Sequence, residues 1–184
     1  MEPRELISFM AIAENLKCNT RHSWTSTNRH ESVAEHSWRL SLMAYFIQDE
    51  FPEADINKVI LMCIFHDLGE AITGDIPAFN KTKEHEEIED REIIRLIETL
   101  PQNYRDKLLA LFKEMNELQT LEAKICKALD KMETLIQHNE ADVSTWLPLE
   151  YKLNLKYGED AVTFSAYMEQ LRQEICSDSL KKME

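Results

Sequence analysis

Apolar residues recur along this chain at helical spacing, and almost nowhere in the strict alternation of a half-buried strand. Leu6, Ile7, Met10, Ile12, Ala13 and Leu16 follow that spacing and predict a helix over 4–17. Residues 18–31 break the pattern, are rich in Asn, Thr, Ser and Arg, and predict a long loop. Ser32 restarts it. Ser32 and Glu35 form an S-x-x-E capping box, in which each side chain takes up an orphan backbone N–H. The stripe that follows is Val33, Leu40, Met43, Ala44 and Ile47. A third helix is expected from about 55 to 70, and its run from Val59 to Phe65 is apolar nearly all round, the mark of a helix buried on every side. Thr73-Gly74-Asp75-Ile76-Pro77 then reads as a turn, with Gly74 free to take positive φ and Pro77 ending any helix.

Three more helical stretches follow over 82–99, 102–116 and 120–139, with Pro101 suited to a first turn and Thr120 to an N-cap. The first of them is charged on one face (Glu84, Glu86, Glu87, Glu89, Asp90, Glu92), which reads as a solvated face. A tail helix is expected over about 159–176. No repeat or linker interrupts the chain. The expected architecture is one all-α domain over 1–184, a helical bundle around a buried central helix, with a core at about 4–140 and an extension at about 141–176.

Composition narrows the classes of function. Only 3 of 184 residues are Gly, against a usual share of roughly 7%, so glycine-rich phosphate loops cannot be written. The net charge of -13 argues against a nucleic-acid polymer or an anionic membrane as partner. A small anionic substrate stays open if a local cation attracts it. The start, Met1-Glu2-Pro3-Arg4-Glu5, carries acids where a secretory signal wants bases, and no apolar run approaches the ~20 residues of a membrane span. Cys18, Cys63, Cys126 and Cys176 are scattered and read as reduced thiols, which together with the above points to a cytoplasmic protein.

The chemistry gathers around His66-Asp67, at the end of the apolar helix. A buried charge is costly unless it is paired or bound to a metal. By itself the pair could be a helix-end His beside a carboxylate. His36 lies in the apolar stripe of its helix and points inward. Asp130 sits opposite the main stripe of its helix (Leu121, Ile125, Met132), facing inward if that helix is wedged between two layers and outward if it is not. Two imidazoles and two carboxylates suit one divalent cation, Mn, Co, Fe, Ni, Zn or Mg, with positions left for water and substrate. His85 and His138 are the candidates for a second metal, but only His85 lies between the His-Asp pair and Asp130, and it sits on a charged helix. Lys81 and Lys83, just after the Thr73–Pro77 turn, are placed to reach a phosphate but read first as solvated, and Trp24, Trp38 and Trp146 read as packing or dimer surface rather than a base-stacking platform.

The order His36, His66-Asp67, Asp130 resembles the HD-domain superfamily of metal-dependent phosphohydrolases. Glu31-Ser32-Val33-Ala34-Glu35-His36-Ser37, His66-Asp67-Leu68-Gly69-Glu70 and Thr73-Gly74-Asp75-Ile76-Pro77 are similar to its 5′-deoxynucleotidase branch, over roughly residues 4–140. The resemblance implies an all-α fold, one divalent metal (cobalt or manganese supporting activity best), a homodimer, and removal of the 5′-phosphate from deoxyribonucleoside monophosphates. It implies His36, His66, Asp67 and Asp130 as ligands, with Asp67 also in the catalytic centre. Glu70 would handle the attacking water, Asp75 would lie near the sugar and help to reject a 2′-hydroxyl, and Arg21 would touch the phosphate. The family places a Trp directly after that arginine; this chain has His22, with Trp24 two residues on. Two other expectations compete: an HD hydrolase of another phosphoester, such as a nucleoside triphosphate or cyclic nucleotide, and a catalytically silent helical adaptor.

Overall fold

The computed structural model describes all residues from 1 to 184. Ten α-helices follow one another: α1 (Pro3–Ala13), α2 (Asn15–Cys18), α3 (Val33–Phe46), α4 (Ile56–Phe65), α5 (Glu70–Thr73), α6 (Lys83–Glu98), α7 (Gln102–Glu117), α8 (Leu121–Glu140), α9 (Glu150–Leu153) and α10 (Ala166–Met183). Strands β1 (Thr20–Trp24) and β2 (His30–Ser32) pair antiparallel between α2 and α3.

Local chemistry fixes the main boundaries. Ser32 caps α3 as its spacing predicts: the side chain accepts from Glu35 N, and Glu35 returns a bond from the Ser32 backbone. Thr120 caps α8 in the same manner, accepting from Ala123 N. Gly74 ends α5 at φ 76°, a conformation open to glycine.

α8 is the central helix. Half of its 20 residues are buried, and α3, α4, α7 and α10 all pack on it. Leu40, Ala44, Met62, Cys63, Ile125, Leu129, Met132, Leu135 and Met168 form the larger apolar cluster around it. A smaller cluster (Phe9, Leu16, Val33, Leu68, Ile93, Leu96, Ile97) seals α1, α2 and α6 against the start of α3.

Several expectations change. Residues 18–31 are not a plain loop but carry the β1–β2 hairpin. Its polar side chains hide it from any alternation test, and backbone pairing with Trp24 stacked on His30, ring centroids 4.0 Å apart, holds it. The helix expected over 55–70 stops at Phe65. Leu68 N bonds Phe65 O and Glu70 N bonds Asp67 O, so a tight three-residue turn intervenes before α5. That helix is also not buried on every side: Leu61 and Ile64 are 47% and 46% exposed. The tail helix starts at Ala166, capped by Ser165, rather than at 159, because Gly158 at φ 73° holds residues 158–164 in turns. No helix is long and apolar enough to cross a membrane.

Candidate metal centre and substrate cleft

α3, α4 and α8 bring the expected donors together. His36 comes from the first turn of α3, His66 and Asp67 from the turn after α4, and Asp130 from the middle of α8. Because α8 is wedged between layers, Asp130 faces inward, which settles the alternative left open by its spacing. The two imidazole Nε2 atoms lie 3.2 Å apart. Asp67 Oδ2 stands 3.0 Å from His66 Nε2 and 3.8 Å from His36 Nε2. Asp130 Oδ1 mirrors it, 3.2 Å from His36 and 3.8 Å from His66.

The outer ring nitrogens fix the tautomers. His66 Nδ1 donates to Cys63 O at 2.9 Å, and His36 Nδ1 donates to the fully buried Glu133 carboxylate. A carbonyl and a carboxylate can only accept, so in the neutral rings both Nε2 atoms carry lone pairs. Two bare imidazole lone pairs and two carboxylates then face one another with no donor between them. Bonds of ~2.0–2.2 Å to one shared ion put neighbouring donor atoms roughly 3–3.5 Å apart, so the donor set fits a divalent first-row cation.

The electrostatics agree. Burial works against charge on His66, yet Asp67 and Asp130 override it and raise its pKa to about 10. Burial likewise pushes Asp67 up, but His66 and His36 pull it well below the usual carboxylate range. Without a metal the cluster holds protons where a cation would sit.

Partners behind the donors were not read from the sequence. Glu133 binds His36 and lies 3.4 Å from Arg39 Nε. Lys127 Nζ takes Asp130 Oδ2 at 3.2 Å, leaving Oδ1 to the cluster. Asn19 and Asn15 donate to the backbone carbonyls of Glu70 and Ala71, pinning α5 in place. The signal for Glu133 was available: it is an acid three residues after Asp130, within an apolar stretch.

Around the cluster opens a cleft of about 570 Å³, inside the roughly 300–1,000 Å³ of small-molecule sites. Arg21, Glu70 and Asp75 all line it. The Arg21 guanidinium donates to Thr134 Oγ1 at 3.0 Å and lies 3.5 Å from Asp67 and 3.4 Å from Glu31. Glu31 is itself pushed up to about 7, by burial and by Glu133, against the pull of Arg21. Glu70 is buried with Oε2 unpartnered. Burial, Asp67, Asp75 and Glu89 push its carboxyl up to about 9. Asp75 is raised too, by burial ahead of any neighbour.

Lys81 is not the free solvated lysine expected. It lines the cleft and pairs with Glu89 at 2.5 Å, so Glu89 is likewise no part of a solvated face. His85 lies away from the cluster, exchanging capping bonds with Thr82 at the start of α6. His138 is buried in the cleft wall. Trp146 is buried and Trp38 exposed.

A family model described as HD domain matches residues 13–172. The human protein named 5′-deoxynucleotidase HDDC2 is 34% identical over 141 residues, 74% of this chain and 68% of its own length. The Dictyostelium discoideum protein of the same name is 31% identical over 160 residues, 82% and 84% of the two chains. A crystal structure from Magnetospirillum magnetotacticum MS-1, described as a predicted metal-dependent phosphohydrolase, shares the fold. Its TM-score is 0.82 at 24% identity, covering 97% of this chain and 93% of that one. A conserved hypothetical protein from Pyrococcus furiosus aligns with a TM-score of 0.69 at 28% identity, over 95% and 99%. With the paired histidines and acids joined on three helices and the family match spanning most of its length, the chain belongs to the HD-domain family.

Proposed function

We propose that this protein is a metal-dependent 5′-nucleotidase that removes the 5′-phosphate of deoxyribonucleoside monophosphates, with water as the nucleophile. One observation carries the reading: four lone-pair donors converge beside a cleft that also holds an arginine and a buried, unpartnered glutamate. The curated relatives named 5′-deoxynucleotidase support the substrate class.

His36, His66, Asp67 and Asp130 would hold the cation. When bound, it supplies Lewis acidity of the kind that lowers a water pKa to ~7 and offsets phosphoryl charge. Arg21 offers its planar fork to phosphate oxygens while Glu31 and Thr134 keep it aimed. Glu70 would orient the attacking water through Oε2, and would take its proton once the carboxyl is ionised. Asp75 lies toward the sugar and disfavours a 2′-hydroxyl. Manganese or cobalt is the cation expected to support the reaction best.

The same reading includes a cytoplasmic location and a homodimer. Trp38, Leu42, Tyr45 and Phe46 on α3 and Leu61 and Ile64 on α4 leave apolar surface exposed, which favours a second copy as partner. A cleft with this donor set favours hydrolysis over a silent adaptor.

The test is dialysis against a chelator, with metal content measured before and after. Phosphate release from dAMP is expected to vanish and to return with Mn or Co. Undiminished release from verified metal-free protein would refute the mechanism. Assays of mono-, tri- and cyclic nucleotides side by side check the substrate class, and a preference for triphosphates would move it elsewhere in the superfamily.

A further inference from the structure

Two buried nucleophiles take no part in the reaction above. Cys63 on α4 and Cys126 on α8 face each other where those helices pack, Sγ to Sγ 3.8 Å, and both are free thiols. The other two cysteines stand elsewhere: Cys18 is exposed on α2, and Cys176 is half-buried on α10.

The position of the pair matters more than its burial. Cys63 lies three residues before His66, and its carbonyl is the acceptor that fixes the His66 tautomer. Cys126 lies one turn before Asp130 on α8. The two thiols therefore join α4 to α8 one turn behind the donors that these segments deliver. Access is unequal. Cys63 is fully buried, whereas Cys126 lines the cleft together with His66, Asp67 and Asp130. A small oxidant that enters the cleft meets Cys126 first.

A disulfide holds its sulfurs ~2.05 Å apart. The pair must close by roughly 1.8 Å, through rotation about χ1 and through approach of α4 and α8. No charge enters the core in the process, because two neutral thiols become one neutral disulfide. That suits the apolar cluster in which both residues lie. A metal site holds its bond lengths to within ~0.2 Å, so even a fraction of this approach displaces His66 and Asp130 from a shared ion.

We propose that Cys63 and Cys126 are a peroxide-sensitive pair whose disulfide disables the metal centre. The Cys126 sulfur attacks one oxygen of hydrogen peroxide, the O–O bond breaks, and the other oxygen leaves as water, giving a sulfenic acid. The Cys63 sulfur then attacks the sulfenic sulfur, and the hydroxyl leaves with the Cys63 proton as a second water. Two thiols are oxidised to one disulfide, and one peroxide is reduced to two waters. The neighbouring Cys63 thiol and burial push the Cys126 thiol up, so the first step is slow and answers sustained peroxide rather than a pulse. In a reducing compartment the resting state is the dithiol, and such a disulfide is transient. The inference rests on the metal-holding cluster and is independent of which phosphoester the cleft takes.

The experiment exposes Mn-loaded protein to millimolar hydrogen peroxide, removes the peroxide, and follows three readouts. A non-reducing peptide map is expected to join the Cys63 and Cys126 peptides, with the intact mass lower by two hydrogens. Mn affinity, read by competition with a chelator, is expected to fall at least about tenfold. Phosphate release from dAMP is expected to fall in step, and dithiothreitol to restore both. Cys63→Ala, checked for helical content by circular dichroism, is expected to keep its metal and its activity through the same exposure. A peptide map without the Cys63–Cys126 link overturns the proposal, and this readout needs no variant. A linked protein that binds Mn at full strength overturns it as well. So does an equal loss of Mn in Cys63→Ala, which would place the damage on the ion or its ligands. A wild type that binds no divalent cation before any oxidation retires the metal-dependent reading itself, a separate failure that takes this proposal with it.

Discussion

Glu133 reaches His36 from behind, and Arg39 in turn lies against Glu133. A carboxylate in that position fixes the tautomer of the imidazole and raises its basicity toward a metal. Glu133→Ala is expected to weaken metal binding about 10–100-fold, read by competition with a chromogenic chelator. Binding at wild-type strength would show that His36 needs no such support. His66 and Asp67 were legible because they end an apolar run, and His36 because it lies in an apolar stripe, whereas spacing left Asp130 open and only the resemblance joined it to the others. Glu133 has the same character, but as an ordinary Glu in a helix full of Lys and Glu it carries no motif of its own. Glu70 gives a sharper test at this scale. Its carboxyl is pushed up to about 9 in the folded chain, by burial first and then by neighbouring acids, whereas an unfolded glutamate titrates near ~4.3. Between those values the folded state binds more protons, so stability falls as pH rises. Metal-free Glu70→Gln is expected to be about 1–3 kcal/mol more stable than metal-free wild type near pH ~9, with little difference near pH ~4. Urea unfolding at the two pH values checks this, and equal slopes for the two proteins would sink it.

Helices announced themselves through spacing and caps: Ser32 and Thr120 stand where α3 and α8 begin. What spacing could not show was where a helix gives way without a breaker. After Phe65 the chain tightens into three-residue hydrogen bonds although no Pro or Gly precedes the change. That turn places His66 and Asp67 side by side at the cluster. The β1–β2 hairpin was equally hidden, since its pairing is backbone chemistry and its side chains are polar. Gln137 on α8 ties it down, donating to Trp24 O at 2.7 Å. Gly158 shows how a single residue keeps a segment in turns. It sits at φ 73°, and a Cβ there would lie 2.6 Å from Met132 Cε and 3.1 Å from Lys131 Cβ. Gly158→Ala is therefore expected to destabilise by about 1–2 kcal/mol, from backbone strain plus displacement of the Met132 side chain. Chemical denaturation measures it, and an unchanged midpoint would mean that the turn relaxes freely.

The whole molecule joins an acidic exterior to a cleft in which Arg21, Lys81 and Lys127 accompany the acids. At physiological salt, charges farther away than ~8 Å are largely screened, so an anionic substrate responds to the cleft more than to the net charge of -13. The exposed face of α3 belongs to this scale too. Phe46 is 77% exposed, and Phe46→Glu is expected to shift a dimer to monomer in light scattering behind a sizing column. A wild type that already elutes as a monomer would remove the homodimer from the proposed function. The central place of α8 has a consequence for biosynthesis. During translation, α3 and α4 leave the ribosome long before the helix that both must pack on, so the growing polypeptide carries their sticky sides unshielded until about three-quarters of it or more has been made. A fragment ending at Leu118 should accordingly melt without a cooperative transition and bind a hydrophobic dye, and holding it soluble is work for a chaperone.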